Sequence, residues 1–185
     1  MNRHLPFALA TLRLLLGPVA LVGALMNMPR WVYLPILVTG TLSDIYDGIL
    51  ARRYGVATPA LRRYDSVADV IYYLFILVVA FLLCKTVITQ NWLLIALILA
   101  SEAGCILVSY ARFGKYPATH SYLAKFYGLC LLATLTALLV GNAGSWAVIA
   151  LAVVALITNL EIIAIHFLMR TPPVDVRSIF ALPKT

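Results

Sequence analysis

Four aspartates, Asp44, Asp47, Asp65 and Asp69, carry the chemistry of this chain. They fall within one short stretch of a sequence that has only seven acidic residues and is 63% hydrophobic. Carboxylates beside a bilayer are costly unless something compensates them, so such a cluster reads as a functional site. A divalent cation is the natural compensator. Hard oxygen donors suit Mg²⁺ or Mn²⁺, and four carboxylates are enough to hold one or two such ions.

Spacing turns the acids into pairs. Asp44, Asp47, Gly48 and Ala51 recur at i, i+3, i+4 and i+7, which is one face of a helix. Two acids then project beside a surface of small residues that a bulky ligand can approach, and Arg52 just beyond is suited to meet a phosphate. Asp65 and Asp69 are i and i+4 on a following helix. Between the pairs, Thr58 and Pro59 form an N-cap followed by proline at the first helical position, so a short turn is expected to set the two pairs face to face. Two blander readings compete. The acids could simply pair with Arg52, Arg53, Arg62 and Arg63, and Gly48 and Ala51 could form a helix-packing notch.

The elements that must hold these residues are membrane helices. A mean hydropathy of +0.98, 11% charged residues and repeated apolar runs of roughly 20 residues exclude a soluble globular domain. The fold class expected is all-α and polytopic, with about six spans, near 7–26, 31–51, 67–88, 91–111, 124–141 and 145–168. They use nearly all of the 185 residues, which points to a single membrane-embedded domain over 1–185.

Charge gives the orientation. With a cytoplasmic N-terminus, six spans put Arg3, Arg52, Arg53, Arg62, Arg63, Arg112, Lys115, Lys125, Arg170, Arg177 and Lys184 on or near the cytoplasmic side, and only Arg30 and Lys85 opposite. Both termini are therefore expected in the cytoplasm. The net charge of +7 reads as a topology signal with an attraction for anionic lipid, and no nucleic-acid partner is expected. The first apolar run holds Arg13 and lacks a small-residue cleavage site, so it reads as a retained span rather than a signal peptide. Cys84, Cys105 and Cys130 stand singly in apolar spans and read as buried small residues. Trp31, Trp92 and Trp146 fit interface anchors.

At this point the stretch resembles the signature of the CDP-alcohol phosphotransferase (CDP-alcohol phosphatidyltransferase) family, D-x-x-D-G-x-x-A-R, eight residues, G-x-x-x-D-x-x-x-D. Asp44, Asp47, Gly48, Ala51, Arg52, Asp65 and Asp69 fill it in register, and Leu61 stands where the family has its second glycine. The resemblance implies transfer of a phosphatidyl group from CDP-diacylglycerol to a small alcohol, glycerol 3-phosphate being one candidate, with release of CMP. It further implies two divalent ions, Mg²⁺ or Mn²⁺, held by Asp44, Asp47, Asp65 and Asp69. Asp69 would also serve as general base, and Gly48, Ala51 and Arg52 would contact the CDP portion. Membrane lipids as partners, a homodimer with Gly141 and Gly144 at helix contacts, and a bacterial or archaeal inner membrane with the site facing the cytoplasm complete the expectation. Leu61 leaves open an altered nucleotide site.

The acceptor is read from Arg112, Lys115, His120 and Lys125, a basic group around GKYPATHSYLAK that is also what topology alone would require. Arg13 is assigned either a phosphate or nucleotide role or simple snorkelling. Glu102 and Glu161, charged within apolar spans, are expected to line a polar cavity or meet a buried cation, and His166 to be a helix-packing or interfacial residue. From other classes, a divalent-cation transporter would place its ions near the bilayer midplane at broken helices. An Asp-rich prenyltransferase would need two separated acidic motifs, and only one is present.

Overall fold

The computed structural model describes residues 4–115, 119, 121–173 and 176–181, Pro59 without its side chain. Seven α-helices follow one another: α1 (Leu5–Leu25), α2 (Tyr33–Arg53), α3 (Pro59–Leu83), α4 (Lys85–Gln90), α5 (Trp92–Phe113), α6 (Tyr122–Leu139) and α7 (Ser145–Leu168). No strand occurs among the described residues. Six of the helices, all but the short α4, are long and apolar enough to cross a membrane, so the chain is an all-α integral membrane protein.

The third span differs most from expectation. It starts at Pro59 and ends at Leu83, whereas the apolar run alone suggested 67–88. Hydropathy misses the first two turns because they are polar, but the Thr58 hydroxyl accepts the Leu61 amide at 3.2 Å and Pro59 sits at the first helical position. At the far end Cys84 leaves helical geometry, with φ −128° and ψ 37°, and α4 starts afresh.

The chain divides into two packing units. The first comprises Met1–Thr86 with Leu135–Asn142, and the second Val87–Thr134 with Ala143–Thr185. In the first, α1 packs against both α2 and α3. Its inward face is Pro6, Ala10, Arg13, Gly17, Ala20, Gly23 and Ala24, while Leu15, Val19, Val22 and Leu25 point outward. A helix that is apolar all round finds its partner by side-chain size, because small residues let backbones approach where lipid removes any hydrophobic preference. Gly17 illustrates the closeness: an added Cβ would lie 2.9 Å from the Phe75 ring of α3. Gly40 of α2 is under the same constraint from Tyr72, whose hydroxyl would meet an added Cβ at 2.5 Å and which donates to the Ile36 carbonyl at 3.3 Å.

The turn between α2 and α3 is tightly specified. Gly55 takes φ +66°, its amide reaches the Arg52 carbonyl at 3.2 Å, and the Val56 amide reaches that of Ala51 at 3.0 Å. This paired closure consumes two of the carbonyls that a helix end leaves free, and it needs glycine at the left-handed position. At the other end of this unit, Arg30 donates to the carbonyls of Leu83 at 2.9 Å and Leu138 at 3.3 Å and to Asn142 Oδ1 at 3.1 Å.

In the second unit α5 packs on α7 around Ile98, Leu151, Ala152 and Ala155. Polar bonds fix the register: Asn159 donates to Ser101 Oγ at 2.8 Å, and Tyr127 donates to Glu102 Oε1 at 2.5 Å. Beyond α7 the chain folds back, so that Ser178 Oγ and the Ile179 amide both donate to Glu161 Oε1, at 3.1 and 3.2 Å.

Candidate active site

All four aspartates converge within the first unit. Asp44 and Asp47 lie in the second half of α2, one turn apart, and Asp65 and Asp69 lie in the first half of α3. The closed turn of Gly55 and the capped start at Thr58 bring the two pairs together across a five-residue link, 54–58. Oxygens of Asp44, Asp47 and Asp65 all lie within 4.8 Å of one another. The exposure of the side chains is graded: Asp47 keeps 5%, Asp65 32%, Asp69 33% and Asp44 48%.

At the centre sits Arg13 of α1, only 1% exposed. Its Nη1 donates to Asp44 Oδ1 at 2.5 Å and makes an ion pair with Asp69 Oδ1 at 2.9 Å. Its Nη2 donates to Asp47 Oδ2 at 3.0 Å and forms a close ion pair with Asp65 Oδ1. Each terminal nitrogen therefore joins one carboxylate of α2 to one of α3. Removing so buried a charge from its partners would be strongly destabilising, because desolvation of the ions that remain would go uncompensated. The buried Arg13 Nε stays without a hydrogen-bond partner.

Neighbouring contacts position this arginine. Thr11 Oγ1, half a turn before it, lies 2.9 Å from Tyr64 Oη, and the Tyr64 ring stacks on Phe7 with centroids 4.3 Å apart. Tyr64 directly precedes Asp65, so α1 is registered against α3 at the site itself.

Snorkelling is excluded for Arg13, since its guanidinium is buried among carboxylates rather than drawn to a surface. Arg52, Arg53, Arg62 and Arg63 are exposed, and the ion pairs of the four aspartates run to Arg13 instead. Ala51 is buried, and Gly48 is partly covered by the Arg52 guanidinium, whose nitrogens would lie 3.7 and 3.8 Å from an added Cβ. Arg52 thus reaches back along the acid-bearing face. Leu61 is half-buried in the first turn of α3 with ordinary helical backbone, one turn before Asp65.

The acceptor candidates lie in the second unit. Arg112 donates to the Met169 carbonyl at 3.3 Å and rests over the Phe113 and Phe167 rings. Lys115 is exposed, and Lys125 lies 5.8 Å from the Tyr122 ring centroid. His120 lies outside the described residues. Glu102 and Glu161 meet a phenol, a hydroxyl and an amide, and no cation among the described residues. His166 is fully buried, with Nδ1 2.8 Å from the Ile162 carbonyl and its ring beside Phe113, a helix-packing residue.

Sequence reasoning missed the fourfold role of Arg13 and the Thr11–Tyr64 contact. The available signal was a single cation inside an otherwise apolar span.

The structure is thus that of a six-span membrane protein with four aspartates gathered from consecutive helices, an oxygen-donor set suited to a divalent cation. Residues 3–161 match the family model for CDP-alcohol phosphatidyltransferase, and the chain belongs to that family. It is a transferase whose family moves a phosphatidyl group from a CDP-linked donor. Searches among curated proteins and solved structures return no match.

Proposed function

We propose that this protein transfers the phosphatidyl group of CDP-diacylglycerol to a small alcohol, with glycerol 3-phosphate as a candidate acceptor, and releases CMP in phospholipid synthesis. The observation that carries the reading is the convergence of four carboxylates from two helices on one point. The donor set fits a hard divalent ion, Mg²⁺ or Mn²⁺, because three of the four already offer oxygens within 4.8 Å of one another. Asp44, Asp47 and Asp65 would hold such ions with Asp69, and two ions suit the four ligands. Bound there, divalent cations supply charge neutralisation for a diphosphate donor and for the departing nucleotide.

The chain's own residues do the rest. Asp69 takes the proton of the acceptor hydroxyl, whose oxygen then forms a bond to the phosphorus carrying the diacylglycerol while the bond from that phosphorus to the bridging oxygen of CMP breaks. Asp69 is suited to this because its side chain, though ion-paired with Arg13, remains partly exposed beside the other three carboxylates. Gly48 and Ala51 give the nucleotide a face free of bulky side chains, and Arg52, folded along that face, meets its phosphates. Arg112, Lys115, His120 and Lys125 supply positive charge for a phosphorylated acceptor, and Arg13 a further guanidinium for phosphate.

The Lys and Arg beside the aspartates, Arg52, Arg53, Arg62 and Arg63, with the bias of Lys and Arg along the sequence, support a cytoplasmic face, in a bacterial or archaeal inner membrane. The family match runs through both packing units, which supports a single working domain over 1–185; a homodimer is part of the same reading. The test is incubation of the purified protein with CDP-diacylglycerol, Mg²⁺ or Mn²⁺ and a panel of alcohols, with CMP and lipid products measured together. CMP release that tracks one acceptor is the expected result. Cation uptake into vesicles without CMP release would favour a transporter.

A further inference from the structure

The guanidinium of Arg13 and a pair of divalent cations require the same oxygens. Nη1 bridges Asp44 and Asp69, Nη2 bridges Asp47 and Asp65, and each bridge runs from α2 to α3. The fork thus presents two positive points, each at an interhelix carboxylate pair. A cation entering either pair meets the repulsion of a charge already there, which is large at contact distance and poorly screened at a side chain only 1% exposed.

The arginine is also an incomplete partner. It sets one positive charge against four carboxylates, and its own Nε is buried with no hydrogen bond. Arg13 comes from α1, whereas every acid comes from α2 or α3, so the guanidinium and the acids are carried by different helices.

We propose that Arg13 is an exchangeable internal counterion: it holds the four carboxylates together in the cation-free protein and gives them up when divalent cations bind. The proposal rests on the divalent-cation reading above. It makes a specific demand, that the stabilising role of Arg13 and the affinity for cations oppose each other.

The test uses the full-length protein in lipid nanodiscs, Mn²⁺ as the probe, and Arg13→Gln and Arg13→Lys beside wild type. Thermal midpoints are measured in chelator and at saturating Mn²⁺, and Mn²⁺ affinity by calorimetry. In chelator Arg13→Gln melts well below wild type; saturating Mn²⁺ closes that gap, and the variant binds Mn²⁺ at least about tenfold more tightly, as removal of a competing charge requires. Arg13→Lys, with one ammonium in place of a fork, falls between. A gap that persists at saturating Mn²⁺, or unchanged or weaker Mn²⁺ binding by Arg13→Gln, overturns the exchange and makes Arg13 a permanent part of the site. If neither variant folds, wild type alone decides: phenylglyoxal labelling of Arg13, read by peptide mass, rises with Mn²⁺ under exchange, and unchanged labelling refutes it. Wild type that binds no Mn²⁺ removes the divalent-cation reading and the exchange together, whereas Mn²⁺ binding without the exchange signature removes the exchange alone.

Discussion

Two arginines work at opposite ends of the first packing unit, and they keep different company. Among the described residues Arg30 meets neutral acceptors: the carbonyls of Leu83 and Leu138, the side-chain oxygen of Asn142 and, at 3.8 Å, the sulfur of Cys84. Arg13, among the same residues, meets carboxylates. At the Arg30 end a positive charge closes helix C-termini, whose free carbonyls carry the negative end of the helix dipole, and nothing there calls for another ligand. At the Arg13 end one charge faces four, and the site is left with anionic donors in excess. The same residue type is a fastening in one place and, under the exchange proposed above, a stand-in for cations in the other.

Disabling the carboxylate end should have the largest effect. Chelation of divalent ions is expected to abolish turnover, and Asp44→Asn or Asp65→Asn to lower it by roughly 10²–10³-fold or more, since charge stabilisation at the transferring group is lost. CMP release with and without chelator checks both, and full turnover in metal-free buffer would remove the mechanism. Asp69→Asn sharpens the comparison within the site. A base acts mainly in the transition state, so kcat should fall by about 10²–10⁴-fold while equilibrium binding of CDP-diacylglycerol in the presence of metal stays near wild type. Parallel loss of donor binding would reduce Asp69 to a ligand.

At the other end, Arg30→Met should cost about 1–3 kcal/mol of stability, because it strands carbonyls that the guanidinium satisfies, with turnover per folded molecule unchanged. Thermal unfolding beside specific activity measures it, and a loss of activity without a loss of stability would break the contrast between the two arginines. The smallest effect belongs to Leu61→Gly. Its helical backbone makes no demand for glycine, so donor affinity should stay within a few-fold of wild type or improve, as CDP-binding isotherms will report. If only the glycine variant binds CDP, the chain is a family member whose nucleotide side has closed.

The carboxylate end was legible in sequence because its information is local. Helical spacing puts Asp44 with Asp47 and Asp65 with Asp69, and Thr58-Pro59 announces the turn between them. The role of Arg13 was not, because it depends on how α1 is registered against two other helices. That registration rests on small residues and on contacts such as Gly17 with Phe75 and Thr11 with Tyr64, which carry no periodic signal in a helix that is apolar all round. The offset of the third span has a similar origin: a hydropathy window cannot register a cap, and α3 begins at its cap rather than where its apolar run begins.

The closed turn at Gly55 and the capped start at Thr58 also make the interval between the acid pairs a gauge length. Each residue added within α3 before Asp65 would rotate Asp65 and Asp69 by about 100° around the helix axis and carry them off the face that meets α2. A residue added at 54–58 would instead undo the two hydrogen bonds that close α2 and shift the point at which α3 begins. Conserving all four aspartates would rescue neither change. Distance along the chain is therefore itself a ligand-setting quantity here, and a sequence with the same acids at a different interval should be expected to carry a different site.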